Sequence, residues 1–250
     1  SAGAPGNHLK TMINTLEGKV ANGYLYLDND GNVTVTEAEA TGDIYLLSSG
    51  TLLVVSGATG GNANLTANGS ITTYSLVADG AICLNSGGTV YIGIVGSRSR
   101  AAINIESGNG IYDTAGATSA YIQAGNLTLK AGAGSIGSSA SPIKIELAGT
   151  AHLMAQSGSD IYLDAIGGGD INIDYILASG EVSLTGTAGI NGAGDNTAAK
   201  IVANDLNIAG KYIGSSDECF IVKITNSLSA VSEQDICLRN IYAAGTEGNC

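Results

Sequence analysis

The chain has 250 residues, among them 37 glycines but only two prolines, one phenylalanine and no tryptophan, and its ten basic and 22 acidic side chains leave a net charge of −12. That acidity excludes phosphate backbones and anionic bilayers as partners, so neither nucleic-acid binding nor membrane association is expected. So few bulky residues exclude a large globular core, and no apolar run approaches the ~20 residues of a membrane-spanning helix, so no membrane insertion is expected.

Residues 1–6 read as a flexible lead. From His8 to Val20, Leu9, Met12, Ile13, Leu16 and Val20 recur at spacings of three and four, the signature of one helix face. Asn7 is placed to cap that helix, and Gly23 lies just past its end. Residues 1–22 are therefore expected to be a lead and an amphipathic helix that caps the open end of the strand repeats beginning at Gly23. Asp28-Asn29-Asp30-Gly31-Asn32 then separates two strand-like runs. A calcium loop of the EF-hand type wants glycine sixth, where Val33 stands, so a turn is the better reading, although Glu39 falls twelfth.

A phrase then recurs: glycine, a small residue, and an aliphatic–polar–aliphatic triplet. It appears as Gly31-Asn32-Val33-Thr34-Val35, Gly42-Asp43-Ile44-Tyr45-Leu46, Gly80-Ala81-Ile82-Cys83-Leu84 and Gly88-Thr89-Val90-Tyr91-Ile92. Later it returns as Gly125-Asn126-Leu127-Thr128-Leu129, Gly169-Asp170-Ile171-Asn172-Ile173 and Gly180-Glu181-Val182-Ser183-Leu184. Period-two alternation buries one face of each strand, and glycine is expected to supply a positive-φ bend before it. A unit unable to bury its apolar face alone must stack on copies of itself. Residues 23–210 are thus expected to form an all-β solenoid, in the form of a parallel β-helix, although the Gly31 turn hints at local hairpins. Two strands per turn gives about 20 residues per rung, and eight or nine rungs make a rod about 40 Å long. Past Gly210 glycine becomes sparse, and 211–250 read as a terminal, cysteine-containing module.

The run Gly125-Asn126-Leu127-Thr128-Leu129, Gly134-Ser135-Ile136-Gly137, Pro142-Ile143-Lys144-Ile145 and Ser159-Asp160-Ile161-Tyr162-Leu163 resembles the repeats of filamentous-haemagglutinin-like surface proteins. A further likeness, not matched residue by residue, is to sheath and surface-layer subunits of filamentous archaea. The resemblance covers about 40–210 and implies an exported, non-catalytic β-solenoid of the cell surface. The chain departs from the family in its shortness, its helix-like start and its four cysteines.

Four cysteines suggest oxidation outside the cytosol. Parity turns Cys83, Cys219 and Cys237 outward, and Cys250 is the last residue. One pairing joins Cys219 to Cys237 within the chain and leaves Cys83 and Cys250 for bonds between subunits; two bonds within one chain, or free thiols, are the alternatives.

Only His8 and His152 are present, and no nucleophile–histidine–acid set has spacing support, so no catalytic residue is assigned and no enzyme is expected. Asp160 and Asp170 share the strand-start slot and could stack. Stacked carboxylates invite a cation such as Ca²⁺ or act as paired acids on a polysaccharide, although solvated turn acids explain them more simply. No other cofactor is expected. Sequons occur at Asn32, Asn64, Asn68 and Asn126, a number that chance supplies. The outward Tyr45, Tyr91 and Tyr162 form the candidate assembly surface. The expected function is an extracellular structural protein whose copies join into a filament, sheath or lattice. An adhesin binding glycans is the alternative, and a β-helical polysaccharide enzyme the third.

Overall fold

Leu25 lies beside Ile44, Ile44 beside Ala63 and Ala63 beside Ile82, all in parallel register. Val33, Leu52, Ile71 and Val90 follow one another in the same way. Over this stretch the backbone advances one coil every 19 residues, the separation also seen where the Thr51 amide donates to Asn32 Oδ1. The computed structural model describes residues 2–4, 6–114, 120–194, 197–215 and 219–241. It is an all-β solenoid of parallel strands in about 11 stacked coils. At ~4.8 Å per coil the stack is about 50 Å long.

Each early coil has three sides rather than the two expected. Leu25–Asn29 forms the first side, and Val33–Ala40 bends to supply the other two. The bend is written in parity: Val33, Val35, Ala38 and Ala40 point inward, while Thr36 and Glu37 point outward in succession. Two outward residues in a row turn a pleated strand by one corner. The same break occurs at Val55–Ser56 and Tyr74–Ser75. Gly31 (φ +94°) turns the chain into the next side of its own coil, not back into a hairpin.

Coils lengthen further on. Ile82 meets Ile103, Ile103 meets Leu127, and Leu127 meets Leu153, because segments leave the wall and return. The interior is a file of aliphatic side chains with almost no exposure, among them Ile44, Ile82, Ile103, Ile105, Leu129 and Leu153. Phe220, the chain's one phenylalanine, is fully buried near the far end. The ladder runs on through Phe220–Ser232 and Leu238–Asn240, so residues in 211–241 form further coils of the same stack.

The expected helix at 8–20 is not there, and the described residues contain no helix. Leu9–Thr11 and Thr15–Val20 are strands of the first coil. Leu9 pairs with Leu27, and Leu16 with Val35, with a corner at Met12–Asn14 between them. Two inward strands joined by a corner reproduce three- and four-residue spacing by coincidence. The neighbouring coil supplies backbone partners that a local pattern cannot reveal.

Candidate assembly surfaces

The small polar residue of the recurring phrase is a staple between coils. Asn32 Oδ1 accepts the Thr51 amide (2.8 Å), Asp43 Oδ1 that of Asn62 (2.7 Å) and Asn62 Oδ1 that of Ala81 (2.9 Å). Asp160 Oδ1 accepts the Glu181 amide (2.8 Å) and Asp170 Oδ1 that of Gly189 (3.0 Å). Asp160 and Asp170 do not stack, which leaves the simpler reading of them as turn acids. Asp160 precedes Ile161, whose neighbour is Val182; Asp170 precedes Ile171, whose neighbour is Ile190. They cap different corners, and Asp170 also accepts the Tyr212 hydroxyl, which raises that phenol's pKa. Among the described residues no three His, Cys, Asp or Glu side chains converge as metal ligands.

Buried hydroxyls close the ends of sides, a device not anticipated from the sequence. Ser48 Oγ donates to Gly31 O (2.7 Å), Ser86 Oγ to Gly69 O (2.8 Å), Ser107 Oγ to Gly88 O (2.7 Å) and Ser157 Oγ to Gly134 O (2.8 Å). Each reaches one coil back and gives its hydroxyl proton to a turn carbonyl, so that the buried hydroxyl is itself satisfied. The recurrence of serine or threonine just before a glycine-containing turn was the available signal. The glycines also serve differently from expectation: of those in the seven phrases, only Gly31 has positive φ. A Cβ on Gly108 would strike the carbonyl oxygen of Gly87, and one on Gly132 that of Gly108, so these turns need glycine because coils pass so closely.

The outward tyrosines separate onto two sides. Tyr26, Tyr45, Asn64, Cys83, Asn104 and Thr128 share one column. Tyr91 pairs instead with Tyr112 on the second side, the side that also carries Tyr162. Tyr45 lies against Tyr26 and His8, and the Tyr162 hydroxyl donates to Glu181 Oε2 (3.1 Å). Burial and that carboxylate push the Tyr162 phenol up to about 12. Burial, with Glu106 nearby, raises the half-buried Cys83 thiol. Cys250 lies outside the described residues.

Cys219 and Cys237 form a disulfide, with Cα atoms 4.5 Å apart, as the sequence-based pairing has it. Its setting recurs twice. At Gly3, Gly137 and Gly214 (φ +73°, +69°, +69°) the strand leaves the wall and re-enters six residues later at Leu9, Ile143 and Phe220. The adjoining coil runs unbroken beneath, as Leu25-Tyr26-Leu27, Ile161-Tyr162-Leu163 and Ile236-Cys237-Leu238. The last residue of each excursion is His8, Pro142 or Cys219. His8 packs on Tyr26, and Cys219 is bonded to Cys237.

A polar clamp spans three coils on the third side. The Arg100 guanidinium passes Gln123 to reach the Glu146 carboxylate and its carbonyl oxygen (3.1 Å), and the Tyr121 hydroxyl donates to the same carboxylate. These donors, Tyr121 first, hold Glu146 below its ordinary pKa. Burial and Glu146 push Tyr121 up to about 12. His152 faces outward and pairs with Asp174 (2.8 Å).

Among the described residues nothing covers the end coils. Leu9 at one end is 50% exposed, whereas its ladder neighbour Leu27 is 1% exposed; Leu228 at the other is 40% exposed, against 2% for its neighbour Leu206. Comparison with protein-family models, with curated proteins and with solved structures finds no match to this chain.

Proposed function

We propose that this chain is an exported structural subunit whose copies stack end to end into a filament, sheath or surface lattice. The observation that supports this reading is the pair of end coils, where inward aliphatic positions are exposed and, among the described residues, strand edges lack a neighbour. The strand Leu238–Asn240 and the distal part of Phe220–Ser232 would face Leu9–Thr11 and Thr15–Val20 of the next copy, continuing the parallel ladder. Carried along the columns of the stack, that register sets Ala230 over Leu16 and Leu228 two residues earlier on the same side, over the Met12–Asn14 corner. Such a contact is heterologous and does not close on itself, so it propagates. The Cys219–Cys237 disulfide favours an oxidising compartment outside the cytosol. Cys83, on an outward column, is the described cysteine available for a bond between laterally adjacent copies.

Sedimentation velocity and negative-stain microscopy over a concentration series test the stacking. Polymers are expected, and Leu9→Asp and Leu228→Asp should each block one face. Mixed in equal amounts, the two variants should join in end-to-end pairs and grow no longer along the axis, since each retains one good end. Monomers at every concentration, or unchanged polymers in both variants, would overturn the proposal.

A further inference from the structure

Between Ile44 and Ser97 the sequence has a single charged residue, Asp79, whose carboxylate is held by Arg98 at 2.8 Å. These are the most regular coils, and their wall differs in kind from the rest of an acidic molecule. At the corner between the second and third sides, Val55 and Tyr74 stand one above the other, and Ile94 on the next coil lies one position further along, beside Ser75; the three are 41–47% exposed. Beside this ridge, Ala58, Val77 and Gly96 are in register on the third side, the first two half-buried and Gly96 buried against Gln123. The corner is thus an apolar ridge flanked by a strip of small side chains, with no charge in either.

We propose that this corner is a lateral self-association surface, at which two copies meet about a twofold axis. The ridge of each copy lies along the small-residue strip of the other. Three observations select a second copy as the occupant. A chain of net charge −12 repels itself wherever carboxylates face each other, and this wall is where they are absent. Exposed apolar side chains on three successive coils gain by leaving water. A ridge next to its own complementary strip is self-complementary, the requirement of an isologous contact. The contact extends the assembly reading from the ends to the side and shares no residue with the end-to-end contact, so either can fail alone.

The experiment uses the full chain carrying Leu228→Asp, which blocks end-to-end growth. Sedimentation equilibrium should give a monomer–dimer system. Adding Tyr74→Glu and Ile94→Asp, both at exposed positions, should raise the dissociation constant by about 30-fold. Independently, Ser75→Cys should yield a covalent dimer under mild oxidation, which Val77→Asp in the same chain suppresses. A monomer at all concentrations together with no cross-linked dimer would overturn the proposal. So would an unchanged dissociation constant in the folded ridge variant. Glycan-array binding lost on Tyr74→Glu, with no dimer in the parent, would reassign the corner to carbohydrate.

Discussion

His8 rests on Tyr26, ring centroids 5.5 Å apart, at the position in its excursion that Cys219 occupies in another, where it is bonded to Cys237. One backbone device is thus pinned by an aromatic contact at one end of the stack and by a covalent bond at the other. Both pins join an excursion to the coil beneath it, so each acts on the boundary between two coils.

Opening the disulfide should therefore act locally. The cross-link closes a separation of 18 residues, for which loop entropy predicts about 3 kcal/mol. Because each coil touches only its neighbours, Cys219→Ser with Cys237→Ser should raise amide exchange within 211–241 and leave 25–100 unchanged. Hydrogen-exchange mass spectrometry reads both regions at once. Equal loss throughout would show that the stack melts as one unit.

Ser107 donates to Gly88 O and to Gly110 O (2.9 Å) from a buried position. Ser107→Ala should cost about 1 kcal/mol, because one shared hydroxyl hydrogen bond is lost inside the wall while Gly88 O and Gly110 O keep the amides of Asn109 and Val90. Urea denaturation should give a lower midpoint with unchanged slope. A neutral effect would mean that water replaces the hydroxyl.

Gly108→Ala should destabilise by about 2 kcal/mol or more although its φ is not positive, because the added methyl meets the Gly87 carbonyl oxygen. Gly149→Ala is the control, since its added carbon meets nothing. Thermal melts of the two variants should separate clearly, and coincident melts would contradict the close passage of the coils.

Alkaline stability should fall between pH 10 and pH 12. The phenols of Tyr121 and Tyr162 sit at about 12 in the folded chain, against about 10 when unfolded. Folded-state values raised in this way contribute stability that is complete below pH 10. It drains away as the unfolded chain ionises first, until the folded phenols ionise too. Denaturation midpoints measured alongside tyrosinate absorbance should track together, and Tyr121→Phe with Tyr162→Phe should flatten the decline.

Glu146 supplies the opposite sign. Its pKa is lowered on folding by donors from Tyr121 and Arg100, so its contribution is present above the ordinary carboxylate range and disappears as pH falls through the folded value. Glu146→Gln should lose about 1 kcal/mol at pH 7 and little at pH 3, because the group is partly exposed. Equal losses at both values would assign the clamp to shape rather than charge.

The strand pattern was legible because alternation is local: Ile82-Cys83-Leu84 declares its inward and outward residues without help from elsewhere. The Cys219–Cys237 pair was legible because parity and proximity in sequence favour it. The first coil was misread because its corner falls at Met12–Asn14 and mimics a helical period. Asp160 and Asp170 share a slot in the phrase yet lie apart, because equivalent slots can fall on different sides of the coil, and Tyr45 and Tyr91 parted for the same reason.

Composition and period-two patterning thus determined on their own that the chain must be β-rich, thin-cored and stacked, since no other arrangement hides such short aliphatic triplets. Only the tertiary structure decided which coil lies on which, and hence three sides instead of two, serines reaching one coil back, and glycines spaced for contact rather than for φ. Register between parallel strands is set by partners some 19 residues or more away, and side chains there meet through the stack, not along the chain.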